Sequence, residues 1–271
     1  MRELVLKPKS TFHIDFRELW EYRELFYFLA WRDIKVRYKQ TAIGILWAIL
    51  QPLITTAVFT VFFGKIVGIQ TGSVPYPVFA FLGLLYWNFF SNFLTSASES
   101  MVASRGIIQK VYFPRLIVPL SSAFVFVLDF AFGAVLFCFL ALFYRVPLSW
   151  AGMAFLIPAL LISFVAASGL GLFFAAVNVK YRDVRYALPF FIQLIVFVSP
   201  VIYPTNILHQ YYWLWYLNPL SGILETVRSL VFGIGSVNYL LLASSIGTSI
   251  VLFVFGIAVF KLTEKWFADI V

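Results

Sequence analysis

Six apolar runs divide this sequence, and each is long enough for a helix that crosses a lipid bilayer. The hydrocarbon core of a bilayer takes about 20 apolar residues as a helix. Charged residues make up only 12% of the chain, whereas a soluble domain carries about 25%. The sequence therefore predicts an all-α integral membrane protein with six transmembrane helices, and Pro189 and Pro200 predict a bend near the ends of the fifth. The runs comprise residues 43–64, 76–93, 116–143, 153–177, 186–203 and 239–260.

The distribution of basic residues predicts how these spans are oriented. Seventeen of the 20 Lys and Arg residues lie before the first run, in the second and fourth loops, or in the tail; the others are Lys65, Arg145 and Arg228. Because basic residues collect in cytoplasmic loops, we expect both termini in the cytoplasm, which requires an even number of spans. This orientation explains the net charge of +8 without nucleic-acid binding. The chain then divides into a cytoplasmic segment (1–42), a transmembrane domain (43–260) and a cytoplasmic tail (261–271).

The segment before the first run has helical periodicity between residues 16 and 39. Its charged residues follow one stripe, and apolar residues, including Leu29 and Ala30, follow the opposite side. Trp20 and Trp31 favour an amphipathic helix that lies in the cytoplasmic interface of the membrane. The alternative is a soluble helix packed on the cytoplasmic face of the protein itself.

Residues 204–236, between the last two runs, fit neither a loop nor a span. Their aromatic residues and a helical stretch over 221–232, too short to cross, predict short re-entrant helices that dip into the outer half of the membrane. Such structure is tolerated against protein or a water-filled cavity. Glu225 and Arg228 are three residues apart, which suits an ion pair, and we expect this pair to help close the outer end.

Motifs for enzymatic chemistry are missing from the sequence. It has no G-x-x-x-x-G-K-[ST] loop for ATP phosphates, and no nucleophile elbow. Its two histidines, His13 and His209, lie on opposite sides of the membrane in the expected topology, so no His-based metal site is expected. The single cysteine, Cys138, cannot form an internal disulfide. The sequence thus predicts a chain without cofactor, metal or catalytic residues.

Asp129 lies midway along the third run and is the one carboxylate deep in the predicted membrane region. An ionisable residue at this depth indicates a proton or cation site. The alternative, favoured by the lack of a basic partner in any span, is a carboxylate that is hydrogen-bonded within the helix bundle or lies near a wet cavity.

Aromatic residues are abundant, with 32 Phe, 14 Tyr and 8 Trp. Trp and Tyr form interfacial belts in most membrane proteins, and that explanation stays open here. The rings also offer flat faces and polar handles on which sugar rings can stack. The candidates for such a substrate passage lie near membrane ends and in the outer segment, and they are Trp47, Tyr86, Trp87, Tyr212, Trp213 and Trp215.

Three stretches carry a resemblance to a known family. The first is Arg32-Asp33-Ile34-Lys35-Val36-Arg37-Tyr38-Lys39-Gln40-Thr41 with Gly44, Trp47, Gln51 and Pro52. The second is Asn178-Val179-Lys180-Tyr181-Arg182-Asp183 followed by Pro189, Gln193, Pro200 and Pro204, and the third is Asn218-Pro219 with Arg228. Together they resemble permease subunits of type-2 ABC exporters for polysaccharides, above all those for O-antigen or teichoic acid.

The resemblance implies a homodimer in a bacterial inner membrane, paired with two copies of a cytoplasmic ABC ATPase that binds ATP and Mg²⁺. It implies a lipid-linked polysaccharide substrate, moved from the cytoplasmic to the outer face. It also implies a coupling helix in the loop of residues 98–114, where Glu99, Arg105 and Lys110 would meet the ATPase. A solvated loop that follows the positive-inside rule explains the two basic residues equally well.

Two other functions remain open from the sequence. One is export of a small molecule or drug by the same architecture. The other is a membrane enzyme acting on lipid-linked sugars.

Overall fold

The computed structural model describes residues 16–39, 46–207 and 212–264, and these ranges fold into helices joined by short connections. The amino-terminal part contains α1 (Phe16–Glu21), α2 (Arg23–Lys39), α3 (Leu46–Phe59) with a π-helical continuation (Thr60–Ile66), α4 (Tyr76–Ala103), α5 (Arg105–Ile108) and α6 (Ile117–Ser121). The remainder contains α7 (Ala123–Phe143), α8 (Trp150–Lys180), α9 (Val184–Val198), α10 (Trp213–Leu217), α11 (Ser221–Phe232) and α12 (Tyr239–Thr263).

Five helical stretches in the described ranges are long and apolar enough to cross a membrane. They match five of the six predicted runs, which confirms the prediction of an all-α integral membrane protein. The start of the first run, residues 43–45, lies outside the described residues. The five stretches are Leu46–Ile66, Tyr76–Ala103, Ile117–Phe143, Trp150–Lys180 and Tyr239–Thr263.

The fifth run differs from its predicted bounds of 186–203. Its helix, α9, has 15 residues, so at 1.5 Å per residue it is shorter than the roughly 30 Å hydrocarbon core. The helix ends because Ser199 is extended, with a ψ of 146°, as expected for a residue that precedes a proline. Residues 199–203 then form turns and bends, and residues 205–207 form a single turn of 3₁₀ helix after Pro204.

Helix α4 forms the centre of the bundle. Of its most apolar 18-residue window, 83% is buried, compared with 6% for the window in the first span. It contacts α3, α7, α8, α9 and α11. The rest of the bundle is therefore arranged around α4, while the first span leaves an apolar surface uncovered.

Helices α8 and α12 form the most extensive helix pair. Their backbones meet at Gly169 and Gly256, where a Cβ on Gly256 would collide with the carbonyl oxygen of Gly169. Small residues permit this close approach, which supplies the van der Waals contact that holds membrane helices together.

The amino-terminal segment, residues 16–39, is helical and is divided at Tyr22 into α1 and α2. Leu29 and Ala30 are buried, and Leu29 belongs to an apolar cluster that includes Ile117 of α6. One face of the segment thus packs on the protein itself, as the soluble-helix alternative expects. Its other face exposes the aromatic residues Trp20, Tyr27, Phe28 and Trp31.

Candidate functional site

Three of the six candidate passage aromatics lie at the surface of the chain. Trp47 near the start of α3 is 53% exposed, and Trp213 at the start of α10 is 58% exposed. Tyr212 is half-buried, and its hydroxyl accepts a hydrogen bond of 3.1 Å from Asn238 Nδ2. These three rings are free to contact a passing molecule.

The other three candidate passage aromatics lie in the core of the chain. The structure therefore does not bring the six candidates together. The Tyr86 hydroxyl donates to the Leu156 carbonyl oxygen at 3.0 Å, and Trp215 Nε1 donates to the Thr205 carbonyl oxygen at 3.1 Å. Trp87 is buried beside Phe90, with ring centroids 6.0 Å apart. These three rings are buried in this conformation, and their part in a substrate passage stays a prediction.

Asp129 on α7 forms an ion pair with Arg37 of α2, at 2.7 Å between Nη2 and Oδ2. The Tyr38 hydroxyl also donates a hydrogen bond to this carboxylate. Burial and this hydrogen bond raise the pKa of the Tyr38 phenol well above its usual range, so the phenol keeps its proton as a donor. The Arg37 guanidinium in addition covers the Phe126 ring at 5.1 Å.

This arrangement agrees with the hydrogen-bonded alternative for Asp129. The basic partner, Arg37, comes from the amino-terminal helix α2. It was not predicted because only basic residues within the spans were considered as partners. The adjacency of Arg37 and Tyr38 just before the first run was the available signal. A cavity of about 30 Å³ beside the carboxylate is lined by polar groups that include Gln51, Asn88 and Asn92, and this volume suits ordered water.

Arg228 on α11 does not form the predicted ion pair with Glu225. Its Nη1 donates to the Pro200 carbonyl oxygen at 2.6 Å, and its Nη2 donates to the carbonyl oxygens of Val201 and Phe79. The guanidinium also lies 3.7 Å from the Phe79 ring centroid. Arg228 thus fastens α11 to α4 and to the residues that follow α9, whereas Glu225 Oε2 is buried and has no hydrogen-bond partner.

The loop of residues 98–114 contains the short helix α5, as the coupling interpretation expects. Arg105 and Lys110 are exposed, while Ile108 is buried and anchors the helix to the body. Glu99 lies on the last turns of α4 and forms a half-exposed ion pair with Arg185 of α9, 3.7 Å apart. Of the three predicted coupling residues, Arg105 and Lys110 therefore face outward, whereas Glu99 pairs with Arg185 of α9 at the start of the loop.

Contacts to neighbouring elements hold the ends of this loop, and sequence reasoning missed them. Asn178 Nδ2 at the end of α8 donates to the Ser98 carbonyl oxygen at 2.9 Å. Arg115 donates to the carbonyl oxygen of Glu264, just after α12. These contacts and the Glu99–Arg185 ion pair connect the loop to α8, α9 and α12.

The described part of the chain contains no group of three or more His, Cys, Asp or Glu side chains that could hold a metal ion. His13 and His209 lie outside the described residues.

Comparison with known proteins gives one consistent result. An O-antigen export system permease protein, RfbA, from Klebsiella pneumoniae is 30% identical over 243 residues, covering 88% of this chain and 92% of its own. RfbA from Myxococcus xanthus is 27% identical, covering 80% and 83%. A polysialic acid transport protein, KpsM, from Escherichia coli is 25% identical, covering 86% and 91%.

The match extends through the elements described above. Residues 24–232 correspond to the ABC-2 type transporter family. This range includes the Asp129 contacts of α2, the α5 loop and helix α11. The chain therefore belongs to the ABC-2 type transporter family.

Proposed function

We propose that this chain is the membrane subunit of an ATP-driven exporter that moves lipid-linked polysaccharide, such as O-antigen, to the outer face of the bacterial inner membrane. The observation that carries this proposal is the near full-length similarity to RfbA and KpsM, which are named for O-antigen export and polysialic acid transport. The helical bundle and the absence of a phosphate-binding loop from the sequence fit a transport role.

Energy for transport comes, in this proposal, from two copies of a cytoplasmic ABC ATPase that bind ATP and Mg²⁺. Two copies of the permease form the membrane part. The uncovered first span supports this arrangement, because its apolar surface suits either lipid or a second copy. ATP binding would draw the ATPase copies together and separate or rotate the permease halves along their shared face.

The proposed topology has six spans and cytoplasmic termini, with α9 and the residues that follow it as the fifth span. We expect reporter domains fused after Lys65, Arg145 and Asn238 to report the outer compartment, because these positions follow the first, third and re-entrant segments. The measurement is activity of alkaline phosphatase and green fluorescent protein fusions in cells. A cytoplasmic signal at any of the three positions would contradict the six-span topology.

The segment formed by α1 and α2 lies in the cytoplasmic interface of the membrane in this proposal. Its exposed aromatic face supports this placement, and two cations cover rings of that face: Arg23 over Trp20 at 5.6 Å and Lys35 over Trp31 at 5.3 Å. Rings and basic groups side by side are typical of the headgroup region. The Asp129 contacts then tie this interfacial segment to the third span.

Coupling to the ATPase runs, in this proposal, through Arg105 and Lys110 on the outward side of the α5 loop. Exposed ion pairs contribute up to about 1 kcal/mol each, so reversing both charges should weaken ATPase docking by about tenfold or more. We expect Arg105→Glu with Lys110→Glu to lower export and co-purification of the ATPase while membrane insertion persists. Lys65→Glu, on the opposite side of the membrane in the proposed topology, is the control. Full export by the double variant would contradict the coupling role and leave the two basic residues explained by the positive-inside rule alone.

Polysaccharide passage is proposed to involve the surface rings Trp47, Tyr212 and Trp213. Ring contacts are worth about 1 kcal/mol each, so Trp47→Ala with Trp213→Ala should reduce export several-fold, whereas phenylalanine at both positions should preserve most of it. The measurement is surface polysaccharide per permease molecule in cells that lack the native gene. Trp150→Ala, which removes another exposed ring, is the control.

The same cells test the proposed function itself. Cells without the permease should retain the polysaccharide in the cytoplasm, and the wild-type chain should restore it to the surface. Normal surface polysaccharide in the cells without the gene would contradict the function, and normal export by the double alanine variant would contradict only the ring contacts.

A further inference from the structure

A cavity of about 300 Å³ lies beside the re-entrant helix α11. Its wall is formed by the loop between the first two spans, the residues that follow α9, α11 with the loop after it, and Phe79 near the start of α4. All of these parts are on the outer side in the proposed topology. The volume is at the lower end of the range of small-molecule sites, which suits one or two sugar rings.

Two buried polar atoms of residues that line this cavity lack hydrogen-bond partners in the described structure. They are Glu225 Oε2 and Arg228 Nε. Arg228 is only 7% exposed, and both of its Nη atoms already donate to backbone carbonyl oxygens. Both atoms are closed to solvent in this conformation, so a molecule in the cavity reaches them only when the two side chains turn towards it. Unpaired buried polar groups are unfavourable, and a molecule that supplies partners for both would then bind here with a gain.

A hydroxyl group supplies both partners, because it donates one hydrogen bond and accepts others. A hydroxyl can donate to the Glu225 carboxylate, and a neighbouring hydroxyl can accept from the Arg228 guanidinium. Side chains of Gln70, Asn206 and Ser229 line the same cavity and add amide and hydroxyl groups. Closely spaced hydroxyls of this kind are the defining feature of a sugar ring.

The cavity also has an apolar wall. Phe79 and Phe232 line it, and the Arg228 guanidinium already covers the Phe79 ring. Phe232 is half-buried and leaves an apolar surface for the C–H face of a sugar.

The charge of the cavity selects among sugars. Glu225 and Arg228 are its only charged residues among the described lining, and the Nη groups of Arg228 are occupied by carbonyl oxygens. An acidic sugar would place a second carboxylate beside Glu225, and only the Nε group of Arg228 would be left to offset the added charge. Like charges in a partly buried site repel. Neutral sugars avoid this repulsion.

We propose that this cavity, named the outer cavity, binds a neutral sugar residue of the exported chain as it leaves the membrane. The inference rests on the proposed export function and adds a specific site to it. The outer cavity would hold the emerging polysaccharide between successive cycles of ATP hydrolysis and oppose its movement back into the membrane.

Saturation-transfer NMR on the complete permease–ATPase complex in lipid nanodiscs tests this proposal. The probes are the methyl α-glycosides of glucose, mannose and galactose, with methyl glucuronide as the acidic comparison and glycerol as the negative one. We expect at least one neutral glycoside to bind the wild type saturably and more tightly than the glucuronide. Loss of a hydrogen bond to a charged group lowers affinity by about tenfold or more, so Glu225→Leu should weaken binding by that factor.

Three further variants keep the test decisive. Ser236→Trp should block the outer cavity while Glu225 remains, and Glu21→Gln, an exposed change on α1, should leave binding unchanged. Because Glu225 Oε2 makes no internal hydrogen bond, the isosteric Glu225→Gln should fold normally and also bind more weakly. ATP-dependent export is measured on the same preparations.

The outcomes separate the two claims. No saturable binding of any neutral glycoside, or equal binding by the wild type and by Glu225→Gln and Ser236→Trp, would overturn the outer cavity as a sugar site even if export is normal. Absence of export by the wild type would overturn the proposed function.

Discussion

Replacement of Gly256 by leucine is expected to prevent recovery of folded permease. The side chain would have to occupy the space of the Gly169 backbone on α8, so α12 can accept it only by moving away. Overpacking in a well-packed interior costs about 1–3 kcal/mol and occasionally more. Here the added side chain would collide with backbone atoms, which cannot adopt another rotamer as a side chain can. We expect a large loss of monodisperse protein after detergent extraction and a lowered apparent Tm, with alanine intermediate.

Gly247 provides the matched control on the same helix. A Cβ at this position would have no heavy atom within 4 Å, so Gly247→Leu should leave yield and Tm close to wild type. Equal loss from both substitutions would show that α12 tolerates no leucine for reasons other than contact with α8. Normal yield of Gly256→Leu would contradict the observed helix pairing.

Arg228→Met is expected to destabilise the region between α9 and α12 severely. Methionine fills a similar volume but leaves the carbonyl oxygens of Pro200 and Val201 without their guanidinium donors. Each buried acceptor left unsatisfied costs about 1–3 kcal/mol. We expect a clear fall in apparent Tm and increased protease cleavage between α9 and α12, measured on purified protein.

Arg228→Lys and Arg145→Met give the comparison for that result. Lysine keeps the charge but cannot present the planar fork that reaches several carbonyls at once, so it should restore only part of the stability. Arg145 is exposed in the connection between α7 and α8, so its loss should have little effect. A stable, protease-resistant Arg228→Met protein would show that the carbonyl contacts do not hold this region.

The transmembrane architecture was largely predictable from hydropathy, because a bilayer imposes length and polarity on every span. The predicted third run, 116–143, matches Ile117–Phe143 within one residue. The fifth run was overextended because apolar composition continues through Ser199, Pro200 and Val201, whereas the backbone leaves the helix there.

The burial of individual aromatic residues was not predictable for a different reason. Tyr86 and Trp87 end the first part of α4, residues 76–87, which has apolar or aromatic residues on all sides and is surrounded by other helices. A helix of this kind has no polar face to show which side meets protein. Trp47 and Trp213 also lie among apolar and aromatic residues in the sequence, but each is more than half exposed in the described part of the structure.

Polar contacts between segments that are far apart in the sequence were also not predictable. The Arg37–Asp129 pair joins residues on α2 and α7, and Arg228 bonds to carbonyl oxygens that carry no side-chain signal. Spacing along one helix suggested Glu225 as the partner of Arg228, but backbone acceptors freed by Pro200 lay closer. Only the folded chain reveals which of these partners is used.

The central claim is that this chain moves polysaccharide across a membrane with energy from a separate ATPase. The direct measurement uses vesicles that contain the permease and its ATPase, lipid-linked polysaccharide in the outer leaflet, and an added glycosidase. The account predicts that ATP makes the polysaccharide resistant to the glycosidase, and that vesicles lacking either subunit show no such protection. ATP hydrolysis by the complete complex without protection of the polysaccharide, or covalent change of the sugar in place of its movement, would contradict the account.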